Sequence, residues 1–324
     1  MPRLGFGPPL IYLVGGREQG EGTGSTVWAF DPALDTYCEV SSMATRRHTR
    51  GHGAAALGGK LYVMGGFDDL GFDDEVPLAQ AEVYDPKADD WQLLPSMLMP
   101  RRSFAAAAVA GKVYAIGGAG VVINELGFNS LSDAVEAYDP ISDAWTQVAS
   151  LPMPRGEHTA TVIDGKIYVL GGSVRADPDD DDEKDGWAGT SDMVVYDPAT
   201  DSWQQWKVAH WPSGKYGHSA AVLNGKIYVT GGVKDDYVTG DALEAHDPVA
   251  GTWTTLASMR QGRELHNSAV VNGKLYVFGG HVSNSYASLD VEVYSPASNS
   301  WARAADLPFG KSPNITAVAL RVNS

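Results

Sequence analysis

A Gly-Gly pair closes an apolar run six times along this chain, at Gly15-Gly16, Gly65-Gly66, Gly117-Gly118, Gly171-Gly172, Gly231-Gly232 and Gly279-Gly280. The intervals are 50, 52, 54, 60 and 48 residues, so a structural unit of about 50 residues recurs. Tyr12, Tyr62, Tyr114, Tyr168, Tyr228 and Tyr276 each stand three residues before a pair. After each pair comes a ring residue followed by Asp-Pro or Ser-Pro, at Phe30, Tyr84, Tyr138, Tyr196, His246 and Tyr294. Seven residues further on stands another aromatic: Tyr37, Trp91, Trp145, Trp203, Trp253 or Trp301.

Each unit reads as four short strands. In the fourth unit they are His158–Ile163, Lys166–Leu170, Met193–Tyr196 and a strand starting at Trp203. The first two are apolar at nearly every position, which marks strands buried on both faces. Asp164-Gly165, Asn224-Gly225 and Asn272-Gly273 supply the two-residue hairpin signal between them. A four-stranded sheet of this size cannot bury both faces alone, so the units must stack on one another radially. The recurring Trp and Tyr are read as filling between the sheets. The chain starts on a second-type strand, Leu10–Val14, and ends on Asn314–Leu320, which supplies the missing first strand. The expectation is an all-β, six-bladed propeller over 1–324, closed by its C-terminal strand. The blades fall at about 10–42 with 312–322, then 49–95, 101–149, 155–207, 215–257 and 263–305.

The Gly-Gly pairs, the Tyr before them, the Tyr-Asp-Pro segments and the Trp seven residues on resemble the Kelch-repeat β-propeller family. The resemblance covers nearly the whole chain. Phe30 with Tyr37, and His246, depart from the pattern without breaking it. Fold alone does not give function here, because Kelch propellers serve as adaptors, scaffolds and enzymes.

The formal net charge is −16 and the isoelectric point about 4.8, which argues against nucleic acid and anionic membranes as partners. No apolar run approaches the length of a membrane span. One cysteine, Cys38, excludes an internal disulfide and any multi-cysteine metal site. With no visible secretory signal, a reduced, cytoplasmic setting is expected, and no cofactor.

From the second glycine to the ring residue of the third strand the gap is 14 residues in units one, five and six, but 18, 20 and 24 in units two, three and four. These three loops should form a wall over half of one mouth of the ring. Their content includes Phe67, Phe72, Val121 to Ile123, Phe128 and an acidic run from Asp177 to Asp185. Thirteen residues before each strand-two Tyr stand Thr49, Arg101, Arg155, Lys215 and Arg263, with Lys311 in the closing strand and Arg50 and Arg102 nearby. Three residues later come His52, Phe104, His158, His218, His266 and Asn314. Like charges in a ring must be neutralised by internal acids, for which Glu157 and Glu264 are candidates, or by an anionic ligand. A histidine metal site is disfavoured because residues on separate blades diverge from the axis.

Two functions are carried forward. The leading one is a soluble binding module for an acidic peptide or protein segment at a basic mouth. Its ligand-binding residues would be Arg50, Arg101, Arg155, Lys215, Arg263, Lys311, His52, Phe104, Phe72 and Phe128. The resemblance implies as much, since BTB–Kelch adaptors bind acidic peptides at this mouth. The alternative is an isomerase or lyase acting on a small carboxylated molecule, resembling the Kelch mutarotases. There an Arg clamp would hold the carboxylate, and His158, His218, His266, Glu157 or Glu264 would carry protons.

Overall fold

A computed structural model describes residues 9–15, 24–68, 76–123, 129–175, 187–206, 211, 214–234, 238–282, 286–308 and 315–321. Six antiparallel sheets form a ring. Blade four consists of Thr159–Ile163, Lys166–Leu170, Met193–Asp197 and Ser202–Gln205, hydrogen-bonded in that order from the axis outward. The other blades repeat it. Innermost strands His48–Leu57, Ala105–Val109, Thr159–Ile163, Ser219–Leu223, Asn267–Val271 and Thr316–Leu320 each touch the next, closing a circle around a central channel. Thr316–Leu320 pairs with Leu10–Val14 in register from Leu10–Leu320 to Val14–Thr316, so the C-terminus completes blade one as expected. Among the described residues, no helix is long and apolar enough to cross a membrane.

The hydrophobic core lies between the blades. Six clusters of buried side chains each draw on two neighbours: Ile11, Leu13 and Phe30 of blade one pack on Tyr276 and Phe278 of blade six. The hairpin signals take the expected turn, with positive φ at both central residues of Asp164-Gly165, Asn224-Gly225 and Asn272-Gly273.

The repeated spacing from Tyr to Trp builds a fastener at the seams between blades one to four and between blades five and six. Tyr196 Oη donates to Asp201 at 2.7 Å, and Asp201 also accepts the backbone N–H of Ala149 in blade three at 2.8 Å. Trp203 Nε1 then donates to Ala149 O at 2.8 Å. The same fastener joins blade one to two through Tyr84, Asp89, Trp91 and Ser41, and blade five to six through Tyr294, Asn299, Trp301 and Ala257. The aromatics are therefore packing residues with a polar end attached to the neighbouring blade.

The Gly-Gly pairs are required twice over. In the five pairs described in full both glycines have positive φ, as at Gly171 (+57°) and Gly172 (+100°). A Cβ on Gly171 would lie 2.8 Å from Cε1 of His218 in the next blade, and one on Gly172 would lie 2.7 Å from Cβ of His158 in its own. Each histidine of the repeat thus fills a slot between two blades that only glycine leaves open.

Candidate binding site at the channel mouth

The four repeat cations within the described residues do not line the mouth. Arg101, Arg155 and Lys215 are 1 % exposed and Arg263 is fully buried. Arg263 shows the arrangement: Nη2 pairs with Glu292 at 2.6 Å, while Nη1 donates to Gly279 O at 2.8 Å and Asp290 O at 3.2 Å. Arg101 pairs with Glu136 in the same way, and Lys215 Nζ with Glu244 at 2.6 Å. Each cation also anchors the seam through its carbonyl, which accepts the second-glycine N–H of the preceding blade, as Arg263 O does from Gly232 at 2.9 Å. The basic rim read from the sequence is corrected accordingly: these charges are internal bolts.

Sequence reasoning missed their partners and one bolt. Glu82, Glu136, Glu244 and Glu292 each occupy the second position of a mostly apolar third strand, two residues before its ring residue. A carboxylate recurring in that buried position was the available signal. In blade two the bolt is Arg47, not Thr49; its Nη2 pairs with Glu82 at 2.9 Å. A bulge between His48 and His52 adds two residues there and displaces the register. In blade four Val194 replaces the Glu, and Arg155 has no carboxylate within ion-pair distance among the described residues; its Nη1 donates to Gly171 O at 3.0 Å. The carboxylates of blades two, three and six also accept linker N–H groups, such as Leu98 N–H on Glu136 at 2.6 Å. Pro152 stands in the corresponding place in blade four, so one of those donors is absent together with its acceptor.

His52, His158, His218 and His266 are buried between blades together with Phe104. Burial, reinforced by the adjacent Arg47, Arg155 or Lys215, holds His52, His158 and His218 down at about 3, and His266 is lowered well below its ordinary value for the same reason. They are neutral imidazoles at physiological pH. Among the described residues, no group of three or more His, Cys, Asp or Glu is placed to hold a metal.

What does line the mouth is the residue just before each histidine or Phe104. Gly51, Ser103, Glu157, Gly217 and Leu265 all have left-handed backbone, with φ between +51° and +80°. They form a belt of hydrogen bonds running from blade to blade. Ser103 N–H donates to Gly51 O (2.9 Å), Glu157 N–H to Ser103 O (2.9 Å), Gly217 N–H to Glu157 O (3.1 Å) and Leu265 N–H to Gly217 O (2.7 Å). Inside the belt lies a cavity of about 250 Å³, lined further by Thr159, Asn267, Ser268 and Thr316 and floored by small residues such as Ala106 and Ala160. Glu264, partly exposed, precedes Leu265 and does not itself line the cavity.

The wall loops grow out of the blades as two-stranded ribbons, Ala119–Ile123 with Asn129–Leu131 and Ser173–Arg175 with Trp187–Gly189. Phe67 is buried at the base of one, with the Arg102 guanidinium 5.8 Å from its ring centre. Phe72, Phe128 and Lys311 lie outside the described residues, as does the Arg50 side chain.

A family model described as the Attractin/LZTR1 beta-propeller matches residues 9–243, and one described as the KLHDC2/KLHL20/DRC7 Kelch-repeats domain matches 181–317. The chain is similar to mouse Kelch-like protein 35, 30 % identical over 241 residues, which is 74 % of this chain and 36 % of the relative. It is 26 % identical to human Kelch-like protein 23 over 257 residues, covering 78 % of this chain and 40 % of the relative. The chain therefore matches well under half the length of these relatives. The solved structure of YjhT superposes with a TM-score of 0.68 at 19 % identity, over 83 % of this chain and 87 % of the other, a likeness of fold. Repeat spacing, seam fasteners and these matches converge: the chain belongs to the Kelch-repeat β-propeller family.

Proposed function

We propose that the chain is a protein-binding module that holds a polypeptide segment of its partner at the mouth of the ring. The observation that carries this reading is the belt. Repeat-invariant side chains are spent on the seams, whereas the belt holds a different residue in almost every blade, on a backbone fixed by hydrogen bonds. A left-handed conformation costs a non-glycine residue about 1–2 kcal/mol. Gly51 and Gly217 avoid that cost, while Ser103, Glu157 and Leu265 bear it at the one place where their side chains face an incoming ligand.

The preference for an acidic segment loses its motive, because the cations behind it are buried and engaged. Catalysis on a small carboxylate is weakened too, since imidazoles held near 3 are poor proton acceptors at neutrality. The test is selection of binders from a random dodecapeptide library displayed on phage, followed by affinity measurement. Ser103→Ala and Leu265→Ser at the mouth should weaken the selected peptides, and Ile141→Ala on the opposite face should not. Equal binding to all three variants would overturn the reading.

A further inference from the structure

We infer that blade four carries a buried site for a small monovalent anion, chloride or a carboxylate of formate size, held by the Arg155 guanidinium and the Met153 N–H. This site is separate from the mouth and does not depend on what the mouth binds. Its ground is a difference between blades. Arg47, Arg101 and Arg263 each donate from Nη1 to two backbone carbonyls and from Nη2 to a glutamate of the same blade. Arg155 is as deeply buried, at 1 % exposed. Among the described residues its guanidinium makes a single hydrogen bond, from Nη1 to Gly171 O at 3.0 Å. Nη2, the atom that meets the glutamate in the other three blades, has no acceptor among them.

The partner is missing by sequence. Val194 stands where blades two, three and six have Glu82, Glu136 and Glu292. It packs in the apolar seam with Leu151, Ile167 and Tyr196, and its side chain stops short of the point where a glutamate places its carboxylate. Those glutamates also hold the linker. Glu82 accepts the N–H groups of Ala44 and Thr45 at 2.8 and 3.1 Å, and Glu136 accepts those of Leu98 and Met99 at 2.6 and 3.1 Å. The counterparts in blade four are Pro152 and Met153. Pro152 has no N–H to offer. Met153 has one, with no acceptor among the described residues. By the geometry of the repeat, a guanidinium and a backbone amide meet at one place, and blade four does not encode the acceptor that joins them elsewhere.

A guanidinium stays protonated at neutral pH, so the charge cannot be shed. Burial lowers the pKa of Arg155, and Asp192 is the acid that acts in the opposite sense. Asp192 does not replace the glutamate. Its counterpart in blade six, Asp290, acts on Arg263 in the same way although Glu292 is also there. The adjacent His158 is neutral at physiological pH and supplies no negative charge. A buried cation without a counter-charge is costly, and an anion between Nη2 and the Met153 N–H provides one through charge-assisted hydrogen bonds. The other blades fill this place with a carboxylate group, which sets the size of the occupant and excludes tetrahedral sulfate. On a chain of net charge −16 the overall field repels anions, so affinity must come from this local arrangement. Occupancy stabilises the seam between blades three and four, because Arg155 O accepts the Gly118 N–H of blade three at 2.9 Å.

The experiment follows thermal unfolding while sodium chloride or sodium formate replaces sodium gluconate, an anion too bulky for the seam, at constant ionic strength. The wild-type midpoint should rise by on the order of 2 °C or more with at least one of the two anions. Val194→Glu, which encodes the carboxylate, should not respond, and neither should Arg155→Met. Val194→Glu combined with Pro152→Leu reproduces the Leu98–Arg101 linker and Glu136 of blade three, and guards against a folding defect in the single variant. Crystals of the wild-type chain grown in bromide should show an anomalous peak within hydrogen-bond distance of Arg155 Nη2, a readout that needs no variant. A wild-type midpoint indifferent to both anions, an equal rise in the Val194→Glu variants, or no bromide beside Arg155 would each overturn the inference.

Discussion

Arg263 and Glu292 form an ion pair at 2.6 Å with side chains 0 % and 3 % exposed, and the pair fixes blade six to blade five through the Arg263 backbone. The guanidinium satisfies two carbonyls and a carboxylate at once, which is what makes burial of the charge tolerable. Removing one partner leaves the other charged and desolvated. Arg263→Met should cost about 3–5 kcal/mol, and Glu292→Leu a similar amount. The double variant should cost less than the sum, because no orphaned charge remains. Urea unfolding of the three variants checks this. A rim-exposed arginine would give changes below about 1 kcal/mol.

The buried histidines make stability depend on pH above the range where carboxylates titrate. Unfolded, each histidine binds a proton near pH 6.5; folded, His52, His158 and His218 do so only at about 3. The unfolded chain binds more protons throughout that interval, so stability is full above about pH 6.5 and falls as pH drops towards 3. Each histidine contributes up to about 1.4 kcal/mol per pH unit. Urea midpoints should therefore decline steeply from pH 6 to 5. His158→Phe, which places in blade four the ring type of Phe104 in blade three, should make the decline shallower by about one proton. An unchanged slope would mean that His158 is protonated in the folded chain.

Glycines of the pairs and of the hairpins have the same φ sign but different surroundings, and the difference is measurable. A Cβ on Gly165 (φ +74°) meets nothing within 4 Å, whereas one on Gly171 (φ +57°) lies 2.7–2.8 Å from Trp211, His218 and the Lys215 carbonyl. Gly165→Ala should cost only the backbone strain, about 1–2 kcal/mol. Gly171→Ala should cost more than that, because the obstacles include main chain. Thermal unfolding of the two variants side by side separates conformational from steric need.

The fold was legible because its signals are local and repeated: turn chemistry, apolar strands and a fixed Tyr-to-Trp spacing each point to one arrangement. Closure by Thr316–Leu320 followed from a missing first strand at Leu10. The site was legible only in part. Arg101, Arg155, Lys215 and Arg263 were placed correctly along the chain, but spacing says nothing about depth, and the carboxylates that pair with Arg101, Lys215 and Arg263 stand 29 to 35 residues away. Arg47 escaped because a bulge breaks the count. The belt was hidden for a different reason. Gly51, Ser103, Glu157, Gly217 and Leu265 share no side-chain chemistry, so only the backbone conformation unites them.

The seam between blades four and five is built differently from its neighbours, and this sets where the ring should loosen first. Gly251 stands where the other blades have Asp or Asn, and His246 where they have Tyr or Phe, so the hydroxyl–carboxylate part of the fastener is missing. The linker into blade five is also two residues longer, counted from Trp203 to Lys215. In compensation Trp211 is buried in the seam, stacked on Trp253 at 5.7 Å and 15° and donating from Nε1 to Glu244 at 3.0 Å. One aromatic thus substitutes for a hydrogen-bonded network. Trp211→Ala should cost about 3–5 kcal/mol. It should also speed amide hydrogen exchange first in Ser202–Gln205 and Ser219–Leu223, before the strands of blades one and two. Installing the usual fastener with His246→Tyr and Gly251→Asp should slow exchange in the same two strands. Exchange that accelerates evenly around the ring in Trp211→Ala would mean that the seams share one cooperative transition and that this one is not the weakest.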